Sequence, residues 1–166
     1  MDTNSAPAIE LRALRKTYGE ITAVDGLDLR VEAGSFFGFL GPNGAGKSTT
    51  IKILTGILQP TSGRASILGH DVVDDAVAAK QLTGVVSEEG ALFERLSGTE
   101  YLEFIGRMYG MERPTIRKRS DELLDLMGLA DDSAKLIVDY SHGMRKKLSF
   151  AASLIHNPKV LFLDEP

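Results

Sequence analysis

The sequence has 166 residues, of which 43% are hydrophobic and 25% are charged, and this is the composition of a single globular domain over residues 1–166. The net charge of -4 argues against an extended nucleic-acid surface, which needs an excess of lysine and arginine, so we expect no nucleic-acid partner. The lack of cysteine excludes disulfides and thiolate metal sites. No apolar run approaches the roughly 20 residues that cross a bilayer, so a role at a membrane would need a separate partner.

The residue pattern in the first half of the chain predicts mainly strands. Apolar residues alternate loosely over residues 9–31, with a turn signal at Tyr18-Gly19-Glu20, and this pattern predicts antiparallel strands. The apolar run 36–40 predicts a short strand. Two further strands are expected at residues 64–68 and 82–86.

The spacing of apolar residues then becomes helical. Ser97, with Glu100 three residues later, is a capping-box pattern at the start of a helix. The apolar stripe of that helix is interpreted as core rather than as a cofactor site: Tyr101, Phe104, Ile105 and Met108. A second helix is predicted to end at Gly128, and a third begins after Ser141 as its N-cap.

Eight consecutive residues match the phosphate-loop pattern in full, between the predicted strand and a helix over residues 47–58: Gly41, Pro42, Asn43, Gly44, Ala45, Gly46, Lys47 and Ser48. The glycines expose successive N–H groups to phosphate, and the helix N-terminus adds partial positive charge. Lys47 supplies charge to the β and γ phosphates, Ser48 offers a hydroxyl to Mg²⁺, and Thr49 completes the nucleotide-binding candidates. A glycine-rich turn with an incidental lysine is set aside because the motif and its flanks are complete.

Two carboxylates directly follow the apolar run 160–163, which predicts a buried strand. Ligands of an open α/β sheet bind at the carboxyl ends of strands, so Asp164 can reach the Mg²⁺ shell. Glu165 can orient and deprotonate the attacking water, which makes Glu165 and Lys47 the predicted catalytic residues. The alternative is a strand that ends in a solvated acidic turn, and the upstream phosphate loop favours the catalytic interpretation.

Three motifs in this order make the chain resemble the ABC ATPase family over nearly its whole length. Residues 41–48 look like the family's Walker A, residues 160–165 like its Walker B with the catalytic glutamate, and residues 140–144 like its signature motif. The resemblance implies an α/β fold with a P-loop NTPase core, an N-terminal antiparallel β-subdomain and an inserted α-helical subdomain. The expected parts are the β-subdomain with the P-loop core at 8–90, the helical subdomain at 91–157 and the Walker B strand at 158–166.

The resemblance also assigns further binding residues. Tyr18 falls where the family stacks an aromatic ring on adenine, although an ordinary strand tyrosine would look the same. Ser141 and Gly143 keep the parts of the signature that hold a γ-phosphate, namely a serine hydroxyl and a helix N-terminus. Glu88 stands where the family usually has a glutamine that reaches Mg²⁺, and its neighbour Glu89 could take the same role.

The signature departs from the commonest family form, Leu-Ser-Gly-Gly-Gln, by reading Tyr-Ser-His-Gly-Met. We interpret His142 as a residue of the helix start rather than a pH-sensitive element. The basic run 145–147 is interpreted as a solvated helix face rather than a contact with phosphate or a partner. With Glu88, this signature resembles the ATPase subunits of drug, antibiotic or sodium exporters.

By this resemblance we expect an ATP-binding subunit that binds ATP and Mg²⁺ and hydrolyses ATP to drive transport across a membrane, with export as the expected direction. The expected partners are a transmembrane permease subunit, which the helical subdomain contacts, and a second ATP-binding subunit in a homodimer or a related pair. ATP closes that pair and hydrolysis opens it. The expected location is the cytoplasmic face of the cell membrane.

The family's complete domain continues past Walker B and includes a switch histidine, whereas His70, His142 and His156 all precede Walker B. We therefore expect a chain truncated after Walker B, which by itself hydrolyses ATP poorly or not at all. Two other interpretations remain: an ABC ATPase that acts on nucleic acid or ribosomes, and a nucleotide-binding remnant. A coiled-coil insertion, a second cassette or a basic surface would favour the first, and the sequence contains none of these.

Overall fold

The computed structural model describes residues 6–87 and 92–164, with only the backbone of Ser87 and Asp164. The described residues form two compact units, and the boundary between them in the sequence lies between Thr83 and Gly84. The first unit carries the phosphate loop, and the second carries the signature and the last strand. No helix in the described ranges is long and apolar enough to cross a membrane.

The first unit is built on an antiparallel sheet in the order β2-β1-β3-β4. Its strands are β1 (Ile9–Tyr18), β2 (Ile21–Val31), β3 (Ser62–Ile67) and β4 (His70–Asp71). The predicted strands at 9–31 and 64–68 are thus confirmed, as is the turn, where Gly19 has a φ of 58° between the paired residues Tyr18 and Ile21. The sequence did not predict the two-residue strand β4.

Two helices belong to the first unit, α1 (Lys47–Leu54) and α2 (Ala76–Gln81). Helix α1 is four residues shorter than the predicted 47–58, because Gly56 has a φ of 69° and the N–H groups of Ile57 and Leu58 turn back to the carbonyl of Lys52. Helix α2 was not predicted, since it is too short to carry a clear apolar period.

The strand predicted at residues 36–40 is not formed among the described residues. A strand needs a neighbour for its N–H and C=O groups, and the sheets of the described ranges contain none for this run. Most of its side chains are correspondingly exposed, with Phe36 at 98% and Leu40 at 92% of their full accessibility, while Phe39 is half-buried. The loop that follows is therefore anchored by α1 and by β2 rather than by a strand in front of it.

The second unit is mainly helical. It contains β5 (Thr83–Ser87), whose first residue belongs to the first unit, followed by α3 (Gly98–Met108), α4 (Arg113–Leu126), two short 3-10 turns, α5 (His142–Leu154) and β6 (Val160–Asp164). Strands β5 and β6 lie side by side. The helices pack around one cluster of buried residues: Tyr101, Leu102, Leu123, Leu124, Leu129, Ile137, Tyr140, Leu148, Ala151, Ala152 and Ile155.

The structure of α3 confirms the predicted capping box, but only part of the predicted apolar stripe is buried. The Ser97 hydroxyl accepts from the Glu100 N–H at 3.2 Å, and the Glu100 carboxylate accepts from the Ser97 N–H at 2.8 Å. Tyr101 is buried as expected, but Phe104 is 38% exposed and Met108 is 70% exposed, so these two are not core. Ile105 packs against the core as predicted, together with Leu102, which the prediction left out, because α4 and α5 pack on that side.

Candidate nucleotide-binding site

The phosphate loop takes a conformation that only glycine permits at its end. Gly44 and Gly46 have φ values of 82° and 84°, and Gly46 is the residue before α1. A Cβ atom on Gly46 would overlap the carbonyl oxygen of Ala23 in β2. The loop is thereby held close to the sheet, and α1 starts with its N-terminus at the loop.

Lys47 folds back over the loop. Its ammonium group donates to the carbonyl oxygens of Gly41 at 2.6 Å and Pro42 at 2.9 Å. The mobile positive charge thus lies at the first two residues of the loop. A phosphate bound there would compete for the same ammonium protons.

The hydroxyl groups that follow Lys47 differ in their surroundings. Ser48 is exposed, whereas Thr50 is buried and its hydroxyl donates to the Gly46 carbonyl at 2.9 Å. Thr49 is half-buried. A hydroxyl ligand for Mg²⁺ therefore comes more easily from Ser48 than from Thr50, in line with the predicted role of Ser48.

Tyr18 lies in the same unit, at the end of β1, and is 47% exposed. The ammonium of Lys16 sits 5.1 Å from the centre of its ring and also donates to the Gln59 carbonyl at 2.8 Å. The ring is thus accessible, with a cation near it that the sequence pattern did not reveal. Its role in binding adenine stays a prediction.

The signature turn is set by helix capping in the second unit. Ser141 is the N-cap of α5, and its hydroxyl accepts from the Met144 N–H at 3.2 Å. Ser141, His142 and Gly143 are all exposed, and a Cβ atom on Gly143 would meet no atom within 4 Å. The start of α5 therefore presents a hydroxyl and a helix N-terminus on an open surface.

Tyr140 anchors this turn to the core. Its side chain is buried, and its hydroxyl donates to the Asp132 carbonyl at 2.9 Å. Burial is the main cause that raises the pKa of Tyr140, so the phenol keeps its donor proton. Gly98 leaves room for the hydroxyl, since a Cβ atom there would lie 2.5 Å from it.

The interpretation of the basic run 145–147 as a solvated face is wrong for its first member. Arg145 binds the Glu94 carboxylate at 2.8 Å and the carbonyl oxygens of Val138 and Tyr140 at 2.9 and 3.2 Å. Lys146 and Lys147 are exposed, as expected. Sequence reasoning missed these contacts because Glu94 is 51 positions away from Arg145 and carries no motif.

The remaining site residues are described only in part. The backbone of Asp164 ends β6, in which Phe162 is buried while Leu163 is 42% exposed, so the predicted strand is confirmed but is only partly buried. The side chain of Asp164, together with Glu88 and Glu165, lies outside the described residues. Within the described ranges, no group of three or more histidine, aspartate or glutamate side chains could hold a metal ion.

Residues 24–166 match the family model described as ABC transporter. The chain belongs to the ABC transporter family. It is 47% identical over 159 residues to the daunorubicin resistance ATP-binding protein DrrA3 of Streptomyces coeruleorubidus, covering 96% of this chain and 50% of that protein. It is 41% identical over 162 residues to the Nod factor export ATP-binding protein I of Ralstonia nicotianae, covering 98% of this chain and 50% of that protein.

A solved structure of an ATP-binding subunit of an ABC transporter superposes with a TM-score of 0.88 at 27% identity, covering 96% of this chain and 66% of that one. Family and fold class, a partial P-loop ABC ATPase domain with an antiparallel β-subdomain, are thus confirmed. Binding of ATP is a property of this family of domains. The chain spans about half the length of the curated relatives it matches, at 50% in both cases.

Proposed function

We propose that the whole protein is the ATP-binding subunit of an ABC exporter, and that it hydrolyses ATP to drive transport. The observation that carries the proposal is the phosphate loop at the start of α1, with two left-handed glycines and the Lys47 ammonium at its first two residues, in a chain that belongs to the ABC transporter family. This loop supplies backbone donors and a positive charge where the phosphates of ATP require them.

Each predicted site residue has a distinct task in this reaction. Lys47 moves from the carbonyls of Gly41 and Pro42 to the β and γ phosphates. Ser48 and Asp164, with Glu88, supply the oxygen ligands that Mg²⁺ prefers, and the bound ion neutralises phosphate charge. Glu165 accepts a proton from the water that attacks the γ-phosphorus, and the bond to the leaving ADP oxygen breaks, giving ADP and inorganic phosphate.

A second ATP-binding subunit completes the site in this proposal. The hydroxyl of Ser141 and the N-terminus of α5 are exposed, and Gly143 has open space around it, so a γ-phosphate held by a partner's loop has access to them. We propose a head-to-tail pair of identical or related subunits that ATP closes. Tyr18 would stack on the adenine of the nucleotide held by its own subunit.

The membrane partner is proposed to dock on the helical subdomain, for which we keep the bounds 91–157. Phe93 is 55% exposed and packs edge-on against the exposed Phe104 at 5.1 Å between ring centres, beside the exposed Met108. Such an apolar aromatic surface favours a protein contact over solvent. Contact with a permease subunit would place the protein at the cytoplasmic face of the membrane.

Export is proposed from the relatives alone. One is named for resistance to daunorubicin and another for the export of Nod factor, and both names describe ATP-binding proteins. The negative net charge gives no support to a nucleic-acid partner as an alternative.

The proposal is tested by nucleotide binding to the full-length protein. Lys47→Ala should abolish measurable binding of Mg-ATP, because the variant loses the cation at the loop. Lys52→Ala is the matched control, since Lys52 is an exposed lysine in the last turn of the same helix. Calorimetric titration with ATP measures both, and an unchanged dissociation constant in Lys47→Ala would contradict the proposed site.

A further inference from the structure

We infer that Arg145 is a positioning residue that links the signature turn to the chain segment containing Glu94. It thereby sets the position and orientation of Ser141 and of the N-terminus of α5. The inference deepens the proposed function, since it concerns the same signature. It rests on contacts within the second unit.

Arg145 holds the backbone on the N-terminal side of the signature. It lies in the first turn of α5, and its guanidinium donates to the Val138 carbonyl at 2.9 Å and to the Tyr140 carbonyl at 3.2 Å. These two carbonyls flank the end of the 3-10 turn Ile137–Asp139, immediately before the N-cap Ser141. Arginine therefore closes the turn against its own helix with charge-assisted bonds.

The remaining nitrogen of the Arg145 guanidinium, Nη1, binds a different segment of the chain, the one that contains Glu94. Its bond to Glu94 at 2.8 Å joins a chain stretch that already runs beside the turn, because Val138 N–H donates to the Glu94 carbonyl at 3.0 Å and Ile137 N–H donates to the Leu96 carbonyl at 2.8 Å. Glu94 follows Glu88 by six positions. A movement of this stretch is thus transmitted to the signature turn through side chain and backbone together.

Tyr140 supplies the opposing anchor on the core side. Its buried hydroxyl is bound to the Asp132 carbonyl, so the turn cannot rotate freely around its inner edge. Arg145 fixes the outer edge, where its side chain is 36% exposed and that of Glu94 is 55% exposed. Solvent screening makes the ion pair alone weak, and its effect comes from acting jointly with the two carbonyl bonds.

Only arginine fits this arrangement. Its planar fork reaches three acceptors in different directions, whereas a lysine ammonium is a compact point charge on a flexible stem. Arg145→Lys should therefore keep the electrostatic attraction to Glu94 but lose the hydrogen bonds to the carbonyl oxygens of Val138 and Tyr140.

The first test is amide hydrogen exchange in the full-length protein without nucleotide. Arg145→Met should raise exchange severalfold at residues 138–144, and Glu94→Gln should raise it in the same residues to a smaller extent. The matched control is Arg107→Met, which removes the arginine of the Glu103–Arg107 ion pair on the surface of α3. Unchanged exchange at 138–144 in Arg145→Met would overturn the tether.

The second test separates positioning from structural support. In a Glu165→Gln background, which slows hydrolysis, the ATP concentration that half-saturates pairing of subunits should rise roughly 5-fold or more in Arg145→Met. Binding of ATP to the unpaired subunit should not change, because Arg145 is not part of the phosphate loop. Raised exchange with unchanged pairing would overturn the positioning role.

The two proposals fail in different ways. If the Glu165→Gln protein with an intact Arg145 does not pair at saturating ATP, the proposed head-to-tail pair is wrong. The exchange measurement then still supports or overturns the tether between Arg145 and Glu94.

Discussion

Two glycines of the phosphate loop share a left-handed φ but differ in the atoms that surround them. Gly44 and Gly46 have nearly equal φ values, 82° and 84°, so alanine at either position carries the same left-handed strain. A Cβ atom on Gly44 would meet nothing within 4 Å. A Cβ atom on Gly46 would overlap the Ala23 carbonyl oxygen and lie 3.2 Å from the Val24 Cγ2 atom.

The expected losses of stability follow from this difference. Left-handed strain costs about 1–2 kcal/mol for a residue with a Cβ atom, and we expect Gly44→Ala to lose that amount. Gly46→Ala adds a steric overlap with backbone that a rotamer change cannot relieve, and overpacking of this kind costs about 1–3 kcal/mol. Gly46→Ala should therefore lose about 2–5 kcal/mol in total.

The assay is urea unfolding of the two full-length variants without nucleotide, compared with the parent protein. The loss of unfolding free energy should be clearly larger for Gly46→Ala, with an unchanged dependence on urea. Equal losses in the two variants would refute the close approach of Gly46 to β2 as the reason for glycine at this position.

Three further predictions concern the second unit. Ser97→Ala should lower the free energy of unfolding by about 1 kcal/mol, measured in urea, because the capping box of α3 is lost. The Ser97 N–H and hydroxyl lower the pKa of Glu100, so the stabilisation by this carboxylate is present above its ordinary value of 4.5 and is lost as pH falls through the lowered pKa. The stability difference between the parent protein and Glu100→Gln should accordingly shrink with acidification, and a constant difference would contradict this. Phe104→Asp should reduce the amount of permease that co-purifies with the full-length protein, whereas the exposed Leu126→Asp should not, and equal recovery would argue against the aromatic surface as the docking site.

Much of the fold could be predicted because it depends on short-range chemistry. The hairpin turn at Gly19, the capping box of Ser97 and Glu100, and the start of α5 at Ser141 each involve residues within four positions of one another. The phosphate loop is similarly local, since Lys47 bonds to Gly41 six positions before it. Such features require particular residue types at fixed spacings, which can be recognised in the sequence.

The wrong predictions share a different origin. The run 36–40 has the apolar character of a strand, but a strand exists only where a neighbour pairs with it, and the described ranges contain none. Phe104 and Met108 follow helical spacing correctly, yet the packing of α4 and α5 decides which face of α3 is covered. The spacing of apolar residues identifies the apolar face of a helix, but it does not reveal which other elements cover that face.

The sequence by itself determined the family, the phosphate-loop motif and the N-caps of α3 and α5, because those properties depend on local backbone geometry and on motifs of a few residues. Only the tertiary structure decided that Arg145 is held by Glu94 and two carbonyls, and that Gly46 lies against Ala23. The contacts of Arg145 with Glu94 and of Gly46 with Ala23 join residues separated by tens of positions, and the two carbonyl contacts of Arg145 follow no recognisable motif, so these partners are chosen by the packing of the chain.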